Sequence, residues 1–164
     1  MVIEGNGWSS DLSHCLSMKR VLIIAQVSLA NNIIMTSLSH GTSQVSAQDR
    51  VIEARFIGSF NALGVQEYAR KVKALVAGFD GAKFSMLIDN TGFEGGTPEA
   101  YQTLDNYNDW LNSQALIAKA FVIQSTMNRH ILMQRTPALA TQKVAFFTDI
   151  NEARAWLKKQ DDNV

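Results

Sequence analysis

Cysteine is almost absent from this chain: Cys15 is the only one in 164 residues. With no second thiol an internal disulfide is excluded, and neither an oxidising nor a reducing compartment is required. Charge of one sign is not in excess either, since 15 Lys and Arg balance 15 Asp and Glu. Without a net field to gather phosphate backbones or anionic lipid, no nucleic-acid partner is expected. Long apolar runs are missing as well. The uncharged span from Val21 to Gln48 has VLIIA, residues 21–25, as its longest continuous apolar stretch, whereas a spanning helix needs roughly 20 such residues. No transmembrane segment is expected. His14, His40 and His130 show no HxH, HxxxH or HExxH spacing, so no metal and no cofactor are expected. GxSxG, GxGxxG and GxxxxGK[ST] are also lacking, which removes the nucleophile elbow and the common phosphate loops.

The chain divides by texture. Residues 1–38 hold no persistent helical or alternating pattern and read as an appendage, while residues 39–164 read as one α/β domain. Within the appendage, VLIIAQVSL and IIMTSLS around Asn31-Asn32 suit either a hairpin or a loosely ordered tail. Met35 is an alternative functional start. Residues 18–30 contain the parts of a secretion signal, with Lys19-Arg20 as the basic region and Ser28-x-Ala30 as the cleavage site. However, Gln26 interrupts the core, and the preceding residues include Glu4 and Asp11. A cytoplasmic location is expected.

From Thr42 the pattern becomes regular. Thr42 to Ala47 and Arg50 to Gly58 form two strands around Gln48-Asp49, the second rich in β-branched and aromatic residues. Asn61 caps a helix whose Val65, Tyr68, Val72, Leu75, Val76 and Phe79 share one face, and Gly78 is placed to end it in a left-handed conformation. Lys83 to Ile88 is a short, almost wholly apolar strand, as expected where both sheet faces are covered. It stops at Asp89 and gives way to a glycine-spaced loop. Thr97-Pro98-Glu99 then opens a helix: Thr97 accepts an early amide, Pro98 needs no amide partner, and Glu99 suits the positive end of the dipole. Tyr101, Leu104, Asn108, Leu111 and Ala115 share its face, so Asn108 either meets a buried partner or sits at the core margin.

Ile117 to Ile123 is the next strand, and Ser125-Thr126 opens a short helix that ends near Pro137. Lys143 to Phe147 is the last strand. Asp149-x-x-Glu152 caps a closing helix with Ala153, Trp156 and Leu157 inward, and the tail 161–164 is expected to fray. The order is β-β-α-β-α-β-α-β-α, a mixed, mostly parallel sheet whose first strand pairs antiparallel.

That order, with Gly58-Ser59-Phe60-Asn61 after the second strand, MLIDNTGFEG at the third and FFTDINEARAWL at the end, resembles the STAS domain family. This is the fold of anti-sigma-factor antagonists and of cytoplasmic domains of sulfate transporters. More closely, it is similar to uncharacterised bacterial proteins with an antagonist-like fold. The resemblance covers about residues 40–160. It implies that the loop after the third strand is the counterpart of the antagonists' Asp-Ser-Ser-Gly, whose second serine a partner kinase phosphorylates. Here Glu94-Gly95-Gly96-Thr97 occupies that place, and Gly96 stands where the hydroxyl would be. Glycine cannot accept phosphate, and Thr97 substitutes only if the alignment shifts.

Asn61, Asp89, Thr91, Ser125, Thr126 and Asp149 fall at the carboxyl edge of the parallel strands, where ligands of such sheets collect. They either hold a polar ligand or serve as caps and turn residues. A Ser125-His130 pair with Asp89 or Asp149 would be the parts of a hydrolase, but no elbow carries it. Gly92, Gly95 and Gly96 more simply let the backbone turn. No enzyme is expected. The reading is a non-enzymatic STAS-like interaction or regulatory module. Its partner or ligand loop is Asp89, Asn90, Thr91, Phe93 and Thr97, and Tyr107 and Trp110 form an aromatic partner surface for another protein or for self-association. The alternative is a small apolar-ligand or lipid-binding domain lined by Met86, Phe93, Met127, Ile131 and Met133.

Overall fold

A computed structural model describes residues 39–162, which build a five-stranded sheet with helices on both faces. Its strands are β1 (Thr42–Gln48), β2 (Val51–Phe60), β3 (Phe84–Gly96), β4 (Leu116–Val122) and β5 (Val144–Phe147). Its helices are α1 (Ala62–Gly78), α2 (Pro98–Asn112), α3 (Thr126–Arg135) and α4 (Ile150–Asp161), with a single 3-10 turn at Pro137–Thr141. The sheet order is β1-β2-β3-β4-β5, and only the β1–β2 pair is antiparallel. The STAS-like order expected from the sequence is the order observed. The secretion-signal, hairpin and Met35 readings fall on residues outside those described.

The sheet opens with a two-residue turn. Gln48 pairs with Val51, and Asp49 and Arg50 both take positive φ, 48° and 63°, the geometry that matches strand twist in tight hairpins. Each later step from one strand to the next moves the same way across the sheet. Right-handed crossovers then put every connecting helix on one face. The packing agrees, for Tyr68 and Val72 of α1, Tyr107 and Leu111 of α2 and Leu132 of α3 bury against Ile52, Phe56, Met86, Ile88 and Phe121. The terminal α4 has the opposite face, where Ala153 and Leu157 meet Leu87, Ala118, Ala120 and Val122.

Local capping sets the helix starts. Asn61, Thr97, Ser125 and Asp149 each accept an amide of the first turn through a side-chain oxygen, satisfying donors a helix cannot satisfy itself. The end of α1 differs from expectation. Gly78 is its last helical residue, and the left-handed positions lie beyond it at Asp80 (φ 50°) and Gly81 (φ 77°). Asp161 does not fray, because it ends α4 with its carboxylate accepting the Ser85 hydroxyl at 2.6 Å.

The main departure is β3, which does not stop at Asp89. It pairs with β4 as far as Asp89↔Val122 and continues along β2 to Phe60↔Gly96. Two register shifts, one opposite Phe56 and one between Gly58 and Ser59, absorb extra β3 residues. Gly95, at φ 134°, has the backbone such a bulge asks for and only glycine adopts freely. The glycine-spaced stretch expected to be a loop is therefore the second half of a strand.

Candidate functional site

The helix-bearing face of the sheet, from β2 across β3 to β4, is covered by α1, α2 and α3. Phe56, Tyr68, Ile88, Asn90, Phe93, Leu104, Tyr107, Asn108, Lys119, Phe121 and Leu132 enclose a cavity of about 40 Å³ there. It sits toward the carboxyl ends of the parallel strands, the usual ligand position in such sheets. Its aromatic wall is continuous: Phe56 and Tyr68 meet edge to face at 4.7 Å, Tyr68 and Tyr107 at 5.1 Å, and Phe56 and Phe93 at 6.3 Å. Such edge-on contacts set the positive rim of one ring against the negative face of the next. Every lining residue is buried except Phe93 and Leu104, so the mouth lies between those two.

Lys119 is the unexpected member. It occupies the centre of β4, and its side chain points to the helix-bearing face, where it is 2% exposed. Its ammonium donates to Asn108 Oδ1 at 2.7 Å and lies 6.0 Å from the Tyr107 ring centre and 5.9 Å from that of Phe121. Burial pulls its pKa from 10.5 down to about 7, since a low-dielectric surround disfavours the charged form. Above it the Tyr68 and Tyr107 hydroxyls share a 3.2 Å hydrogen bond. Burial pushes both phenols well up, so both are neutral. Asn108 meets a buried partner, and Gln142 Nε2 steadies its turn by donating to the Asn108 carbonyl at 3.1 Å.

The residues singled out from sequence are placed differently. Asp89 Oδ1 accepts both the amide and the hydroxyl of Thr91, and its other oxygen is 3.5 Å from Arg55 Nε. Thr91 is exposed, Asn90 and Phe93 face the cavity, and Thr97 is occupied in capping α2. Tyr107 is 3% exposed and belongs to the core, not to a surface. Trp110 is half-buried beside Tyr107, with the Lys73 ammonium 4.9 Å above its ring. Of the apolar set proposed as a lining, Phe93 contributes, and Met86 lies just behind, 3.9 Å from the Tyr107 hydroxyl. Ile131 does not line the cavity, and Met127 and Met133 point to solvent at 65% and 38% exposure. Ser125 and Asp149 accept capping amides, His130 is exposed, and no hydrogen bond joins the three. Among the described residues no group of acidic, histidine or cysteine side chains could hold a metal.

The SpoIIAA-like family model matches residues 51–158. This chain belongs to the SpoIIAA-like family. No curated protein matches the sequence. Among solved structures, the SpoIIAA-like domain is similar to an uncharacterised protein of the DUF3478 family with a SpoIIAA-like fold from Shewanella loihica PV-4. That likeness has a TM-score of 0.54 and 17% identity over 73% of this chain and 95% of the other. It is also similar to an anti-sigma factor antagonist from Mycobacterium paratuberculosis, with a TM-score of 0.51 and 15% identity over the same shares. At these identities the likeness is one of fold.

Proposed function

We propose that this SpoIIAA-like chain is a non-enzymatic regulatory module that acts by contact with a protein partner, and that the far end of the β2–β3 ribbon makes the contact. The ribbon itself is the supporting observation. From Asn90 to Gly96 the β3 strand pairs with β2 and with no other described strand, which leaves one edge of backbone donors and acceptors without a strand partner. Such an edge is where an extended peptide can add by main-chain hydrogen bonds. Ile57, paired with Gly92 on the same ribbon, is 40% exposed, and Thr91 and Thr97 stand exposed nearby. Tyr107 and Trp110 are left out of the contact.

Two further facts lean the same way. Asp89, Ser125 and Asp149, the acids and nucleophile that sequence could supply, are engaged in caps and turns. An anti-sigma factor antagonist shares the fold, and opposing another protein is a contact function. No described helix is long and apolar enough to cross a membrane, and a cytoplasmic setting is part of the same reading.

The test is photo-cross-linking in the native host. A photoreactive residue at Thr91 or Ile57 should give one discrete adduct with a partner, or a dimer if the chain self-associates. The same residue at the exposed Glu152 on α4 should give none. Equal yields from both faces, or none from the ribbon, would remove this contact surface.

A further inference from the structure

The cavity carries a cation and two amides on otherwise apolar walls, a composition that neither core packing nor a contact at the ribbon requires. Lys119 is 2% exposed, and no described carboxylate pairs with it. Asn108 Oδ1 takes one of its hydrogens, while the Asn108 amide nitrogen has no hydrogen-bond partner among the described residues. Asn90 is 9% exposed and lines the same space, and its side-chain amide likewise has no hydrogen-bond partner there. These three side chains bring an ammonium and two carboxamides to one largely apolar space. A buried cation without a counter-charge is costly, and one with no acid among its neighbours is matched by an acceptor that carries the missing charge. A carboxylate is such a group: it is acceptor-only and forms its stronger hydrogen bonds with a cationic donor. A single lysine among aromatic walls suits one negative charge on an apolar body better than a multiply charged phosphate.

We propose that this cavity binds a small monocarboxylic acid, its carboxylate held by Lys119, Asn108 and Asn90 and its apolar body directed toward Phe93 and Leu104. The volume sets the size. About 40 Å³ exceeds the roughly 10–15 Å³ that one water requires, so the polar end fits inside while the body extends into the mouth between Phe93 and Leu104.

Binding is also tied to pH. The titratable groups that face Lys119 are Tyr68 from α1 and Tyr107 from α2, both kept neutral by burial. From β3, β5 and α3 the nearby residues are Met86, Val144 and Leu132, which do not titrate. Burial leaves the free lysine at about 7, so above that pH the amine must take up a proton from solvent as a carboxylate binds. Affinity then falls by about tenfold per pH unit.

Isothermal titration of the full chain with propionate, butyrate and benzoate, and with the matching neutral amides, decides it. The acids should bind at about pH 6.5 at least about tenfold more tightly than the amides, by the usual cost of unpairing a buried charge. At about pH 8.5 the heat should vary with the buffer's ionisation enthalpy, showing proton uptake. Lys119→Met should abolish the preference for acids while the chain still melts cooperatively. Asn90→Leu, at a side chain with no protein partner among the described residues, should weaken the acids and spare the melt. Acids and amides of equal affinity, undiminished acid binding by Lys119→Met, or no acid binding at tens of millimolar would overturn the assignment.

Discussion

Lys119 Nζ lies 2.7 Å from Asn108 Oδ1 in the middle of the helix-covered face, with no described acid to answer its charge. Its pKa is about 7 when folded and 10.5 ordinarily. Between those values the unfolded chain holds a proton that the folded chain has lost, so stability rises with pH by up to about 1.4 kcal/mol per unit. Lys119→Met is therefore expected to stabilise the fold by a few kcal/mol near pH 6, roughly the cost of charging the buried amine, with the gain shrinking toward pH 10. Thermal melts of parent and variant at several pH values check this. A variant less stable than the parent throughout would show that the lysine's contacts outweigh its burial.

The Tyr68 and Tyr107 hydroxyls are each other's partners at 3.2 Å. Tyr68→Phe leaves the Tyr107 hydroxyl with the Met86 sulfur at 3.9 Å, a weak acceptor, and should cost about 1–3 kcal/mol. Replacing both tyrosines should cost less than the sum of the single changes. Denaturant midpoints of the double-mutant cycle read the coupling, and strict additivity would mean that the bond contributes nothing.

Thr97 Oγ1 accepts the Ala100 amide at 3.2 Å, and Pro98 follows it as the first helical residue. Thr97→Ala should cost about 1 kcal/mol and Thr97→Ser far less. Mass spectrometry of protein from native cells should find Thr97 unmodified; stoichiometric phosphate there would overturn its reading as a cap.

Gly64 lies in the first turn of α1, where alanine is ordinarily favoured by about 1 kcal/mol. Here a Cβ would collide with the His40 carbonyl oxygen, and the His40 amide is tied to Asn61 Oδ1 at 3.0 Å. Gly64→Ala should therefore destabilise, and a raised melting midpoint would show that the chain at His40 yields at little cost.

Residues 39–162 contain the five described strands and both described cores. A chain beginning at Ser39 is expected to unfold in one cooperative transition with its midpoint close to that of the full chain. Circular dichroism melts of the two would show the contrary if residues 1–38 add substantially to stability.

What could be read from the residues alone was mostly local. Asn61, Thr97, Ser125 and Asp149 cap with amides two or three positions away, so the capping bonds are contained in the neighbouring sequence. The second half of β3 was hidden because Asp89, Asn90 and three glycines have poor strand propensity. Only pairing with the distant β2 holds them extended. Tyr107 was misplaced because α1 lies across α2 and buries a residue to one side of the Leu104–Leu111 line. Lys119 carried one visible sign, a lone cation inside LIAKAFV, but its side of the sheet and its meeting with Asn108 depend on tertiary packing.

The coincidence of sheet order with chain order bears on how the molecule assembles. Among the described strands every hydrogen-bonded pair joins consecutive strands, so none of these pairings must wait for a distant segment. Closing each new pair costs the loop entropy of one helix and its connections. Starting from the β1–β2 hairpin, the sheet can lengthen one strand at a time as the chain leaves the ribosome, with each helix covering the strands just laid down. The step after β5 differs in kind, since among the described elements α4 alone covers the opposite face. Among the described residues it is α4 that covers Leu87, Ala118, Ala120 and Val122 with Ala153 and Leu157, so the interval before α4 docks is one in which a nascent chain is open to aggregation.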